Sequence, residues 1–175
     1  ADPNPLAKLT VKDSFMVDAG IAASYTSDLT SEGQTISYRF DEEEDAFNNK
    51  KCDIAESSNG TTQWIGQKFS VGQNIRRITL FRAGTGYAGC SRSSSGSFNA
   101  RLQYADSQSS DSYSWNDAGL AVNLPASDGT LRTYDLIDNG SHRYWRFFYN
   151  GSSSGYMEIN EIEYKLIKHS NQKTQ

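Results

Sequence analysis

The segment SFNARLQY, residues 97–104, has the period-two pattern that decides the fold class. Apolar residues alternate with Ser, Asn, Arg and Gln, so one face of an extended strand would be apolar and the other polar. Such alternation is typical of an antiparallel strand that buries one face. We therefore predict a β-strand here, in a sheet that covers an apolar core. The apolar positions are Phe98, Ala100, Leu102 and Tyr104.

Seven further segments around this strand have a similar strand-like composition. Clusters of Gly, Ser, Asn and Asp separate them, and these residues favour turns. No window keeps an apolar stripe at helical spacing over three turns, so we expect little helix. About eight short strands separated by turns predict an all-β fold, an antiparallel β-sandwich of the jelly-roll type. The seven segments are residues 34–40, 63–71, 75–81, 120–124, 131–137, 143–149 and 156–167.

The bulk composition excludes several classes of protein. The 175 residues carry a formal net charge of −4, and no stretch forms the basic stripe that a nucleic acid partner would require. No run approaches the roughly 20 apolar residues of a membrane span, and the N-terminus lacks the pattern of a signal peptide. We expect one domain over residues 11–168, an N-terminal extension over 1–10 and a polar tail over 169–175.

Cys52 and Cys90 are the only cysteines of the chain. This number excludes a framework of several disulfides and a four-thiolate zinc site. The spacing in sequence does not say whether the two Cα atoms come within the roughly 7 Å that a disulfide needs. One bridge and two free thiols therefore both remain open.

The last predicted strand contains an irregularity. Met157 and Ile159 share one face, but the next apolar residue is Ile162, so the alternation shifts by one position at Asn160 and Glu161. A β-bulge at this place would restore a single inward face and would turn a carbonyl and a carboxylate away from the ladder. Oxygen ligands presented in this way suit a metal ion.

Three longer segments carry a resemblance to a known family. They read TTQWIGQKFSVGQNIRRITLFRAG (61–84), FNARLQYADS (98–107) and HRYWRFFYNGSSSGYMEINEIEY (142–164). In this order they resemble the discoidin and coagulation factor 5/8 type C family, which has a galactose-binding-domain-like fold and is related to family 32 carbohydrate-binding modules. The resemblance covers roughly residues 19–166. It matches Trp64 to the tryptophan that opens a central strand, and Tyr144, Trp145 and Arg146 to the strand before the final loop.

The resemblance also implies a structural calcium ion. Many of the related modules hold Ca²⁺ at an Ala-Phe-Asp-Gly-like turn, closed by a glutamate of the last strand. Here RFD (39–41) or AFNN (46–49) could match that turn, and neither contains the Asp-Gly pair. The alternative is that the acidic run DEEED is a solvated loop. The candidate oxygen ligands, shared with backbone carbonyls, are Asp41, Asp45, Asn48, Asn49 and Glu161.

Binding in this family generally uses loops at one end of the sandwich. A sugar needs an exposed aromatic platform and polar donors, whereas an aromatic side chain that packs under its own loop is the structural alternative. Tyr87 and Arg92 lead, because they lie in a Gly-rich segment too long for a simple hairpin. Tyr113 and Trp115 are further loop aromatics. The candidate ligand-binding residues are Tyr25, Arg82, Tyr87, Arg92, Tyr149 and Asn150.

The sequence contains no motif of a known catalytic centre, and we expect no enzyme activity. The carboxylates that a glycosidase could use are Glu158, Glu161 and Glu163, and two of them would have to face one cleft. We expect Glu158 to face away from the core and Glu161 to be used at the bulge, so we reject this function. We therefore predict a carbohydrate-binding or cell-surface-binding module, extracellular or surface-exposed. The alternative is a structural or adhesion component of a larger assembly such as a virion, for example a capsid decoration or tail-associated protein, that uses the fold for protein contacts.

Overall fold

The alternating segment quoted above forms a strand inside a five-stranded antiparallel sheet. Phe98–Ala105 pairs on one side with Asn116–Leu124 and on the other with His142–Gly155. The structure is a computed structural model, and it describes residues 23–84, 96–109, 112–124 and 129–169. Buried and exposed side chains alternate over most of Phe98–Ala105, as the period of two requires.

Every strand pair among the described residues is antiparallel. A single 3-10 helix, Glu43–Phe47, accompanies the strands in these parts of the chain. In chain order the strands are β1 (Tyr25–Thr26), β2 (Gly33–Tyr38), β3 (Phe40–Asp41), β4 (Ala55–Ser57), β5 (Gly60–Gln73), β6 (Arg77–Phe81), β7 (Phe98–Ala105), β8 (Gln108–Ser109), β9 (Ser112–Tyr113), β10 (Asn116–Leu124), β11 (Leu131–Asp135), β12 (His142–Gly155), β13 (Glu158–Ile159) and β14 (Glu161–Ile167).

Two sheets contain the eight strands that are five residues or longer. The five-stranded sheet has the order β10-β7-β12-β5-β2, and the four-stranded sheet has the order β1-β14-β6-β11. Each of the eight long strands overlaps one of the segments predicted from the sequence. The prediction of an antiparallel β-sandwich of about eight strands with little helix is therefore confirmed.

The core lies between these two sheets. The rings of Phe69 in β5 and Tyr164 in β14 are 6.3 Å apart, and the Tyr164 hydroxyl donates to the carbonyl of Trp145 in β12 over 3.4 Å. Side chains from both sheets join one apolar cluster, so each sheet covers the apolar face of the other. Its largest buried members are Ile65, Phe69, Leu102, Trp145 and Phe147 from the five-stranded sheet and Ile78, Leu80 and Ile162 from the four-stranded sheet.

The irregularity in the last strand is present, but it is a change of sheet rather than a bulge in one ladder. β13 pairs with β4 in a three-stranded sheet, β14 pairs with β6, and Asn160 lies between them. The Asn160 carboxamide accepts from the Ala83 backbone N–H over 2.7 Å and donates to the Asp53 carbonyl over 2.8 Å. Ile159 and Tyr164 are consequently both buried, as the phase shift predicts.

Contacts divide the chain into two compact units. Tyr25–Ile167 contains the strands described above. The other unit consists of the terminal segments Ala1–Ser24 and Lys168–Gln175, and in its described part the Lys168 backbone N–H donates to the Ser24 carbonyl over 2.8 Å. The domain limits drawn from the sequence stay a prediction.

Cys52 is disulfide-bonded. The chain has one other cysteine, Cys90, which lies outside the described residues. The sequence left a disulfide and free thiols both open, and the structure shows the disulfide at Cys52.

A substitution at Gly66 tests how closely β5 packs against β12. A Cβ atom at Gly66 would overlap the Trp145 carbonyl and the Arg146 Cα, which are backbone atoms that cannot rotate away. We expect Gly66→Ala to lower the free energy of unfolding by about 3 kcal/mol or more in urea denaturation. Gly96→Ala is the matched control, because its added Cβ meets no atom within 4 Å. Equal stability of the two variants would contradict the packing described here.

Candidate functional site

Arg82 is buried rather than exposed at the rim. Only 3% of its surface is exposed, and its guanidinium donates to the Gly96 carbonyl over 3.2 and 3.3 Å. The guanidinium carbon lies 4.7 Å from the ring centre of Phe98. Arg82 therefore links the two described ends of the segment 85–95 rather than offering a donor to a ligand. Tyr87 and Arg92 lie in that segment, outside the described residues.

The other candidates for the binding rim lie in strands. Tyr25 is half-buried in β1, and the guanidinium carbon of Arg77 lies 3.8 Å from its ring centre. Tyr149 in β12 is half-buried against the core, with its ring edge-on to Phe98 at 6.3 Å. Asn150 also lies in β12, paired with Thr62, and its side chain lies outside the described residues. The structure does not gather these residues into one loop site.

Arg146 is the centre of an aromatic cluster on the outer face of the five-stranded sheet. Its guanidinium carbon lies 4.1 Å from the ring centre of Trp115, 4.5 Å from that of Phe148 and 5.1 Å from that of Trp64. Its Nε donates to Gln103 Oε1 over 2.9 Å. Cation–π contacts and this hydrogen bond replace the water that burial removes.

Trp115 covers this arginine and Tyr113 packs against Trp115, so both are part of the cluster instead of standing free at a rim. Their rings are 5.0 Å apart, and Tyr113 contacts Tyr144 edge-on at 5.2 Å. Burial lowers the pKa of Arg146 to about 9, which leaves the group positively charged at neutral pH. Sequence analysis missed the cluster. The sequence does contain a signal for it, because β12 has large residues on both faces: Trp145 points inward, and Tyr144 and Arg146 point outward.

Glu161 is the predicted metal ligand with the most unusual surroundings. It is 6% exposed, it accepts a hydrogen bond from the backbone N–H of Asn49, and its Oε2 has no hydrogen-bond partner among the described residues. Burial is the main cause that raises the pKa of Glu161 to about 7, and the Glu163 carboxylate adds to it. A buried carboxylate with an unsatisfied oxygen is the kind of group that a cation stabilises.

The remaining predicted calcium ligands divide between two places. Asn48 Nδ2 donates to Asp45 Oδ1 over 3.2 Å and to Asp53 Oδ2 over 2.8 Å, in the segment that also supplies Asn49. Asp41 instead lies in β3, opposite Glu56 of β4. Of the two turns considered, residues 46–49 are therefore the one next to Glu161, and residues 39–41 belong to a different sheet.

A cavity of about 750 Å³ borders Glu161 and Asn49. Thr30, Gln67 and Tyr164 are among its other lining residues. No group of three His, Cys, Asp or Glu side chains in the described ranges could hold a metal ion. A calcium ion at Glu161 would therefore need carbonyl and amide oxygens for most of its six to eight ligands.

Glu158 is buried, contrary to the expectation that it faces away from the core. It is 3% exposed and lies opposite Glu56 in the β13/β4 pair. Burial raises the pKa of Glu56, and the Glu158 carboxylate adds to this effect. Sheet switching at Asn160 explains the error, because it places both faces of β13 against other parts of the fold.

Comparisons with known proteins agree on the fold. No protein-family profile matches the sequence, and a search of curated proteins finds no match. Solved structures do match. A truncated AlyQ with CBM32 and alginate lyase domains aligns with a TM-score of 0.61 and 13% identity over 85% of this chain, which corresponds to only 35% of the AlyQ chain.

Two isolated modules align over almost their whole length. The CBM32 of AlyQ in complex with 4,5-unsaturated mannuronic acid has a TM-score of 0.56 and 16% identity, over 82% of this chain and 97% of that one. The family 32 CBM from C. perfringens NanJ in complex with galactose has a TM-score of 0.57 and 7% identity, over 77% and 93%. The chain therefore has the discoidin-like, galactose-binding-like β-sandwich fold of the family 32 carbohydrate-binding modules.

Proposed function

We propose that this chain is a non-catalytic carbohydrate-binding module. The observation that carries the proposal is the fold, which it shares with modules solved in complex with galactose and with an unsaturated mannuronic acid. Two of the three carboxylates considered for a glycosidase, Glu163 and Glu158, are engaged with other groups of the fold. Glu163 forms an ion pair with Lys165 at 2.9 Å, and Glu158 is buried beside Glu56. A retaining or inverting pair needs both groups in one cleft.

The proposed ligand site is the segment 85–95 with Tyr87 and Arg92. Both described ends of the segment are held firmly: Arg82 binds the Gly96 carbonyl, and the Ala83 N–H donates to Asn160 over 2.7 Å. A loop that starts and ends on fixed backbone loses less entropy when it binds. This supports a binding role for an aromatic ring and a guanidinium placed between those ends.

Glycan-array binding tests the proposal. We expect the full chain to bind at least one immobilised glycan in a panel that includes galactose and uronic acid oligosaccharides. Tyr87→Ala should weaken that binding at least tenfold, because it removes the stacking platform. Tyr156→Ala is the control, since Tyr156 is 44% exposed and lies outside the proposed site. Absence of binding to every glycan would refute the proposed function, and an equal loss in both variants would refute the site.

We also propose that Glu161 binds a structural Ca²⁺ together with oxygens of the segment around Asn49. The unsatisfied Oε2 of a buried carboxylate supports this assignment, and so does the proximity of the Asn49 backbone. Asp45 and Asn48 would act from the adjacent hydrogen-bonded group, whereas Asp41 is left out of the proposed set because it lies in β3, in a different sheet from the strand that carries Glu161. The bound ion would order this segment and supply no chemistry to a reaction.

The raised pKa of Glu161 gives a pH test in calcium-free buffer. Because the pKa in the folded state is about 7 and the ordinary value is 4.5, the folded protein holds a proton that the unfolded chain has lost between these pH values. Stability should therefore fall as pH rises from about 4.5 to 7, by on the order of 2 kcal/mol. Glu161→Gln should remove this decrease in chemical denaturation. An unchanged pH profile in the variant would contradict the assignment.

Calcium should stabilise the folded protein at a pH where the ionised Glu161 destabilises it. At pH 7.5 we expect millimolar Ca²⁺ to raise the unfolding midpoint of the natural sequence, because an ion that binds only the folded state stabilises it by mass action. Glu161→Gln should lose this shift. Glu44→Gln, at an exposed position of the acidic run, should keep it. Equal calcium shifts in all three proteins would rule out a site at Glu161.

An extracellular or surface location, and the alternative role as a structural component of a virion or similar assembly, stay predictions. No helix among the described residues is long and apolar enough to cross a membrane.

A further inference from the structure

A groove of about 800 Å³ lies on the outer face of the five-stranded sheet. Its floor is formed by β7 and β10, where Arg101 lies opposite Ala121 and Asn99 lies opposite Asn123. The alternating positions of β7 point into the core, so the groove residues are the solvent side of the same strands. Phe148 of β12 borders it.

The shape of β10 helps to keep this face open. The register of β10 against β7 shifts between Asp117 and Ala121, and Gly119 within the shift has a positive φ of 77°. The small side chain of Ala121 then faces the groove beside Arg101. Aromatic residues cover the neighbouring part of the sheet around Arg146, but the part floored by Asn99 and Asn123 remains exposed.

Hydrogen bonds within the groove fix which polar atoms are left for a ligand. Asn123 Nδ2 donates to Asn99 Oδ1 over 2.7 Å, which leaves the Asn99 amino group as a donor and Asn123 Oδ1 as an acceptor. Gln103 Oε1 accepts from Arg146 Nε over 2.9 Å, so its Nε2 is the remaining donor. Donors and acceptors therefore alternate on one surface, and a sugar hydroxyl can serve both.

An aromatic ring and a balanced charge complete the surface. Phe148 is half-buried, and the Arg146 guanidinium under it holds the ring at 4.5 Å. Such a ring can pack against the apolar C–H face of a sugar. Arg101 is the one cation among the residues that line the groove, and it is paired with Asp117 at 3.4 Å. Arg146 is buried behind Phe148, so neither guanidinium is presented as an unpaired, exposed charge to an anionic ligand.

We propose that this groove binds a neutral, hydroxyl-rich glycan chain, as a surface made of strand residues in addition to the loop site. The proposal rests on the proposed carbohydrate-binding function and names a site and ligand class for it. The lining residues run along β7 from Asn99 to Gln103, four residue spacings of about 3.3 Å or roughly 13 Å, so the groove suits an extended chain more than a single sugar.

Affinity electrophoresis of the full chain tests this site. The gels contain a galactan, a mannan or a β-glucan as neutral probes, and alginate as the anionic probe. Ala121→Trp fills the groove without removing a hydrogen bond, and the double variant Asn99→Ala with Asn123→Ala removes the amide pair. The control Thr133→Trp adds the same bulk at an exposed position of the other sheet. Circular dichroism and the unfolding midpoint verify that each variant is folded.

We expect at least one neutral probe to retard the natural protein and the Thr133→Trp control equally. Both groove variants should bind that probe at least tenfold more weakly. They should bind, as tightly as the natural protein does, every array glycan that the Tyr87→Ala variant no longer binds. If both groove variants bind the neutral probes as tightly as the natural protein does, the proposed groove site is wrong and the proposed function stays intact. Retardation by alginate alone, abolished by salt, would overturn the neutral ligand class. Absence of binding to every probe and every array glycan would overturn both proposals.

Discussion

The fold depends on the burial of two apolar sheet faces against each other, and Tyr164 is the residue where this constraint is most visible. Its ring contacts Phe69 of the opposite sheet and Phe47 of the 3-10 helix, and its hydroxyl reaches the Trp145 carbonyl. Burial raises the pKa of Tyr164, so the hydroxyl stays protonated and keeps donating. Because every long strand contributes to one of these two faces, a change of strand phase has to occur between two strands and not within one ladder. The switch at Asn160 does this.

The switch at Asn160 also explains why buried polar groups gather beside the last strand. Where the chain leaves one sheet for another, its backbone cannot be satisfied by a regular ladder, and the Asn160 carboxamide bonds to Ala83 and Asp53 instead. Glu161 follows directly and is carried into the interior with one oxygen unsatisfied. The Asn160 side chain thus holds the backbone of Ala83, two residues before the segment 85–95, and Asn160 is the direct neighbour in sequence of the buried Glu161. The residue at the change of sheet is therefore close in the chain or by hydrogen bond to the residues that lead into both proposed sites.

Strand β12 shows a second consequence of the sandwich. It lies in the middle of the five-stranded sheet, with β5 on one side and β7 on the other, so both of its faces have to be occupied. Trp145 faces the core, and Arg146 faces outward under aromatic rings that shield it from water. The same outer face is covered at the Arg146 end and open at the Asn99 end. This asymmetry, rather than the loops alone, creates the groove.

The sequence by itself determined the fold class, because alternation with period two and turn residues are local properties of the chain. It also located the phase shift at Asn160, since a break in alternation is visible without coordinates. Only the tertiary structure decided which polar side chains are buried: Arg82 and Glu158 lie inside because of neighbours distant in sequence. The groove between Asn99 and Asn123 depends on the register of β10 against β7. Strand register is a long-range property, and no single segment encodes it.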